Sequence, residues 1–340
     1  MRQPHPDGSL LDWADVESSY PWTVLLLGNG LSTHVWDQFH YSSLYSEACR
    51  LGSGSLAPKD RALFDRLGTQ NFEHVLGQLN AAITVADALG EDSAELLKRY
   101  QSIQAGLGEA IRQVHVPWVQ VPDQTLASIK SELHGYEWVF TTSYDLLLYW
   151  AMGHEEDYGR LVDLFWGSDC RFDAGNTDVW GRSIPVLFLH GAMHLIAEGA
   201  GTTRKLTRTA ALTLLDQFGQ PIDDDPRARP LLVTEGSSRH KLQAIEGNPY
   251  LAHAYERLQD QRAPVVVFGS SLGEQDRHLT EALSANPGRP VAVSMMPGRK
   301  QVLREQQSEI YGRVLATPLL FFNATTHPLG GVALPVPSGE

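Results

Sequence analysis

Five short, almost wholly apolar runs constrain this chain more than any other feature: Trp22 to Leu27 (WTVLLL), Trp138 to Thr142 (WVFTT), Pro185 to Leu189 (PVLFL), Pro264 to Phe268 (PVVVF) and Pro290 to Ser294 (PVAVS). None alternates as a strand with one wet face does. Continuous apolar runs of this size suit strands buried on both faces, and helical stretches separate them. The pattern predicts an α/β fold, a Rossmann-like, doubly wound parallel sheet. Leu231 to Thr234 (LLVT) is a further, shorter candidate for that sheet.

Helices are expected over Asn71 to Ala88, with Asn71 as N-cap, and over Tyr250 to Gln261 after the cap and first-turn proline Asn248-Pro249. A third spans Glu274 to Ala285, opening with acids that suit the helix dipole and stopping at Asn286-Pro287-Gly288. Between Leu51 and Pro122 no β-run occurs. The expected organisation is one domain over about 20–330, with a mostly helical insertion about 51–122. A loop-rich insertion about 198–230 carries one helix near Leu212 to Phe218 and the acidic loop Asp223 to Asp225.

A formal net charge of −13 argues against broad binding to nucleic acid or direct membrane binding, since both need a basic surface. Two cysteines, Cys49 and Cys170, cannot build a four-cysteine zinc site, and no metal is expected. The opening MRQPHPDGSLLDW has no basic segment followed by an apolar one, so the chain is expected to be cytoplasmic.

Chemistry-bearing residues gather just beyond the strands. Gly28-Asn29-Gly30-Leu31-Ser32 follows the first: either a turn that brings backbone N–H groups to a pyrophosphate, or a plain strand-to-helix turn. Thr142, Ser143 and Asp145 follow the second, as ligand groups or as a helix cap. His190 follows the third, either a general base or a histidine satisfied by backbone carbonyls. Gly269, Ser270 and Ser271 follow the fourth, holding part of a nucleotide or starting a helix. In an open α/β sheet these ends share one edge, and the joint arrangement points to one crevice for a dinucleotide.

GNGLS, FTTSYD, LFLHG and FGSSLGEQDRHL, in that order, resemble the landmarks of sirtuin-like (SIR2-like) domains, in particular bacterial relatives of antiphage NADases. Within that group the chain most resembles the DUF4917 family, through Asn71-Phe72-Glu73, TTSYDLLLYW, LLVTEG, Asn248-Pro249-Tyr250-Leu251 and FGSSLGEQDRHL. The resemblance spans roughly Val24 to Val293, with long unmatched stretches between landmarks.

The resemblance implies a Rossmann-like fold that takes NAD as substrate and releases nicotinamide and ADP-ribose. It places the glycine turn at Gly28, Asn29, Gly30 and Ser32, the catalytic polar segment at Thr142, Ser143 and Asp145, the base at His190, and the ribose turn at Gly269, Ser270 and Ser271. It also implies homo-oligomers or a separate sensor protein as partners. Where relatives typically read TTNYD this chain has Ser143, whose single hydroxyl replaces an amide carrying both donor and acceptor. Deacylation fits less well than hydrolysis. The zinc ribbon of deacylating sirtuins is missing, and Thr33 to Phe39 (THVWDQF) replaces their usual Pro-Asp-Phe-Arg stretch. The alternative is a non-catalytic sensor or scaffold that binds NAD or an ADP-ribose-type nucleotide.

Several other features read as structural. Trp36, Phe39 and Trp150 are expected in the core or pocket wall, and Arg204, Lys205 and Arg208 on a solvated basic face. His194 follows His190 at a spacing that would align both on a helix, without an acidic or cysteine partner.

Overall fold

The computed structural model describes residues 10–39, 44–50, 56–70, 72–154, 159–198, 201–207, 213–217, 228–233, 238–298, 309, 311–312, 315 and 317–336. Asn71, Arg208, Leu212, Phe218, Asp223 to Asp225 and Thr234, invoked above as helix cap, basic contact, helix ends, acidic loop and strand end, lie outside the described residues.

The strands are β1 (Val24–Leu27), β2 (Trp138–Thr141), β3 (Leu161–Val162), β4 (Ile184–Phe188), β5 (Gly191–Ala197), β6 (Thr203–Lys205), β7 (Arg229–Leu232), β8 (Val265–Phe268), β9 (Val291–Met295) and β10 (Leu319–Asn323). Seven form one sheet in the order β10-β9-β8-β1-β2-β4-β3, with every neighbouring pair parallel. Every residue of β1 (VLLL) and β8 (VVVF) is buried, as strands with helices on both faces require. Prolines set the entry to one half of the sheet. Pro264, Pro290 and Pro318 each precede a strand, where their missing N–H costs nothing, and their carbonyls accept from Val24, Val265 and Val291 of the neighbouring strand.

From β1 the chain lays β2 on one side and continues outward to β4, then returns to place β8 on the other side of β1. The winding direction therefore reverses between β1 and β8, where open α/β sheets hold ligands. Phe268, Leu27, Thr141 and Phe188 stand in register across β8, β1, β2 and β4, so the residues that follow share one edge. At about 4.8 Å per strand that row is about 14 Å long.

Three expectations need correction, the first being Lys205, which is buried and donates to Asp163 Oδ2 at 2.8 Å instead of standing on a solvated basic face. Leu231 and Leu232 belong to β7 of a separate three-stranded sheet, order β6-β5-β7, and pair antiparallel with β5. A short apolar run has no direction of its own; its partner decides. The His190/His194 spacing likewise reflects no helix, because His194 lies in β5. Gly191, at φ +72, turns the chain from β4 into that second sheet, and a Cβ there would lie 1.9 Å from Leu231 O. β10 was not anticipated. It pairs with β9 and bridges to Leu11 near the N-terminus.

The helices Pro58–Leu67, Phe72–Leu89 and Ala94–Val114 fill the segment between β1 and β2. Their apolar faces form a second core together with Met193 and Ile196 of β5, Leu206, Leu214 and Leu232. The helical segment thus roofs the small antiparallel sheet. Asp60 is fully buried within this layer and accepts from Arg99 at 3.0 Å and Ser102 at 2.6 Å. Helix Pro249–Asp260 is capped as expected, Asn248 Oδ1 accepting from the N–H of Tyr250 and Leu251 at 3.1 Å each. The acidic Glu274–Asp276 forms a 3-10 turn before helix Arg277–Ser284. No helix among the described residues is long and apolar enough to cross a membrane.

Candidate functional site

The glycine turns after β1 and β8 meet each other. Gly28 N–H donates to Phe268 O at 2.8 Å and Gly30 N–H to Gly269 O at 2.7 Å. A Cβ at Gly28 would come within 2.5 Å of Gly269 O, and one at Gly30 within 2.5 Å of Gly269 Cα. The room these glycines create is filled by the neighbouring turn. Close packing of two strand ends therefore explains them without a phosphate. Asn29 is exposed and its side chain caps nothing in helix Gly30–Val35.

Next along the edge, the polar residues after β2 bond to the first turn. Ser32 Oγ donates to Asp145 Oδ2 at 2.5 Å and lies 3.3 Å from Ser143 Oγ. With the one hydroxyl proton of Ser32 given to the carboxylate, the Ser143 hydroxyl is the donor in the longer contact. Asp145 Oδ1 accepts from Leu147 N–H at 2.9 Å and so caps helix Leu147–Met152. Ser32, Ser143 and Asp145 are all buried. Thr142 turns back, its N–H 2.9 Å and its hydroxyl 3.4 Å from Leu27 O.

His115, from the end of the helical segment, accepts Leu146 N–H at Nε2 (3.0 Å) and lies 2.8 Å from Val116 O at Nδ1. Burial pulls its pKa down, partly opposed by the charge of Asp145.

His190 stands two residues past β4. Phe188 N–H donates to Tyr250 OH at 2.8 Å, and Val233 N–H to His190 O at 2.8 Å, so the strand end is held from both sides. The ring does not turn to backbone carbonyls through Nε2. It faces His278 Nε2 at 2.9 Å. Burial, then the positive charge of Lys241 and the neighbouring His278, holds His190 well below its usual pKa. His278 is pushed down to about 4 by burial, with Asp276 opposing and Lys241 adding to the drop. Ser238 Oγ accepts His278 N–H at 2.8 Å and lies 3.2 Å from its Nδ1, while Lys241 Nζ donates to Asp276 Oδ1 at 2.7 Å.

Beyond β8, β9 and β10 opens a cavity of about 370 Å3, its wall including Gly30, Gly269, Ser270, Ser271, Ser294 and Thr325. Among the described residues its lining holds no Lys, Arg, Asp or Glu. Ser270 Oγ accepts Leu272 N–H at 3.2 Å, and Ser294 Oγ accepts Gly269 N–H at 2.9 Å. The expected residues therefore fall into three neighbouring groups along one edge. Gly30, Gly269, Ser270 and Ser271 border the cavity, Ser32, Ser143 and Asp145 bond to one another, and His190 pairs with His278. Gly28, Asn29 and Thr142 do not line the cavity.

The sequence reading passed over His115, Ser238, Lys241, Asp276 and His278 as site residues. Only the Asp276-Arg277-His278 spacing carried a local signal, and it reads equally as a helix start. Together, a seven-stranded parallel sheet with flanking helices and polar groups gathered at its switch point define a Rossmann-like α/β protein. Within that class the chain belongs to the DUF4917 family (domain of unknown function), whose model matches residues 25–329. No curated protein matches it.

Proposed function

We propose that this chain is a sirtuin-like NAD hydrolase, releasing nicotinamide and ADP-ribose, and an effector of bacterial antiphage defence that works as a homo-oligomer or beside a separate sensor protein. The observation that carries the reading is the adjacency of TTSYD and LFLHG. They lie beyond neighbouring strands β2 and β4, beside the β1/β8 switch point and its cavity. The cavity takes the adenosine part, met by hydroxyls and backbone groups.

As the bond to nicotinamide breaks, positive charge develops on the ribose. Asp145, oriented by Ser32 and Leu147 N–H, faces that charge. His190, neutral through burial, takes a proton from a ribose hydroxyl or from the attacking water. Ser143 stands where an amide would hold that ribose, and a missing preorganised polar group costs on the order of 100-fold in rate.

The experiment is nicotinamide release from NAD by the purified chain, by Ser143→Asn and by His190→Ala. Release that rises in Ser143→Asn and disappears in His190→Ala supports the reading. Unchanged turnover in His190→Ala removes the base. Two contacts favour the second reading, a nucleotide sensor without turnover: Ser32 and Asp145 are bonded to one another and His190 Nε2 is engaged by His278. A sensor would be stabilised by NAD or ADP-ribose yet release no nicotinamide.

A further inference from the structure

His190, His278 and Asp276 come from two chain segments and offer two imidazole nitrogens and a carboxylate oxygen, all within 4.8 Å of one another. We infer that they form a binding site for a first-row divalent cation of the zinc class, with His190 Nε2, His278 Nε2 and the free oxygen of Asp276 as ligands. The expectation of no metal rests on the two cysteines and on the lack of an acidic or cysteine partner near His190 and His194, whereas Asp276 and His278 lie 86 and 88 residues beyond His190 in the chain.

The geometry supports the inference in two ways. An ion about 2.05 Å from each imidazole nitrogen subtends about 90° at the present 2.9 Å separation; with the ring centroids 5.1 Å apart the nitrogens point at each other, so tetrahedral ligation takes about a half-ångström opening together with a rotation of the rings. The surroundings orient the ligands. Ser238 Oγ can accept a proton from Nδ1 of His278, which leaves the Nε2 lone pair toward His190, and Lys241 takes Asp276 Oδ1 and leaves Oδ2.

Donor chemistry fixes the class of ion. The Lys241 ammonium offsets the charge of Asp276, so the ion is held chiefly by imidazole nitrogens. That favours Zn2+ and its neighbours over Mg2+ or Ca2+, which need several oxygen ligands. Without an ion, the Nε2–H of neutral His190 donates to His278 Nε2 across 2.9 Å; when the cation binds, that proton moves to Nδ1 of the same ring and Nε2 presents its lone pair. With Nε2 on the ion and the proton on Nδ1, His190 has no lone pair left to accept a proton. If the NAD reading holds, the ion is an off-switch; the site itself does not depend on that reading.

The test uses Co2+ as a spectroscopic stand-in for Zn2+, on the full chain after chelator treatment, without NAD. The expected result is one Co2+ per chain with visible ligand-field bands, displaced by Zn2+ and not by excess Mg2+. Affinity should fall by at least about 100-fold in His278→Ala, the upper end of what even outer partners of a metal site cost. Asp276→Asn, isosteric and partly exposed, keeps the test valid if His278→Ala fails to fold, and should weaken binding by about 10-fold or more. No stoichiometric binding by the folded chain, binding unchanged in Asp276→Asn, or displacement by Mg2+ would each overturn the assignment. Nicotinamide release enters none of these readouts.

Discussion

Gly30 donates its backbone N–H to the carbonyl of Gly269 at 2.7 Å, and a Cβ on Gly30 would lie 2.5 Å from the Cα of Gly269. The turns that end β1 and β8 therefore touch backbone to backbone. This contact closes the sheet where its winding direction reverses, beside the cavity and next to the Ser32–Asp145 bond.

Gly269→Ala should destabilise the fold by about 1–3 kcal/mol, the usual cost of a side chain in a disfavoured backbone region. Gly269 sits at φ +70, and its Cβ would lie 2.8 Å from Leu31 N. Urea unfolding measures the change, and a shift below about 0.5 kcal/mol would show that the turns can separate.

Ser32→Ala should cost more than Ser143→Ala. The first removes the 2.5 Å donor to buried Asp145 and leaves one oxygen of a charged group short of a partner, for about 1–3 kcal/mol. The second removes only a 3.3 Å hydroxyl contact. Equal losses in paired unfolding curves would contradict this ranking.

Asn248→Ala should lose about 1–2 kcal/mol, at the upper end for a helix cap. Besides capping Tyr250 and Leu251, the buried amide donates to Thr203 Oγ1 at 3.0 Å and so ties the helix to β6. Asn248→Asp keeps the acceptor for both N–H groups and should recover part of the cap. If Asp is no better than Ala, the tie to Thr203 dominates.

Stability should fall on acidification before the carboxylates titrate. Burial pushes His327 down to about 3 and His278 to about 4, and lowers His115, His190 and His194 as well. The unfolded chain binds these protons near pH 6.5. Below that value the unfolded state takes up more protons than the folded one, so stability drops as pH falls, until the folded values are reached. Each such histidine contributes about 1.4 kcal/mol per pH unit in that window. Unfolding free energies measured between neutral pH and about pH 5 should show this slope, and His327→Gln should reduce it by one histidine's share. An unchanged slope in that variant would mean that His327 is already protonated in the fold.

Much of the parallel sheet was legible because buried strands need uninterrupted apolar residues, and β1, β2, β4, β8 and β9 are such runs. The cap at Asn248 was legible for a similar reason, its side chain acting within three residues. β7 was misassigned and β5 missed, since strand direction and sheet membership depend on a partner far away in the chain. The Gly28 and Gly30 turn could be located, but its purpose could not be read. Only the position of Gly269 reveals what fills the space.

The amino-acid sequence by itself determined local matters: which segments are apolar enough to be buried, where polar residues interrupt them, and which family's landmarks they match. Tertiary structure alone decided which of those polar groups meet. Ser32 reaches Asp145 because β1 and β2 are neighbours in register, and His190, just past β4, reaches His278 in the first turn of the helix that follows β8. Hydrogen bonds act over about 3 Å, whereas the partners are separated by whole strands and helices, so only the packed core brings them within range.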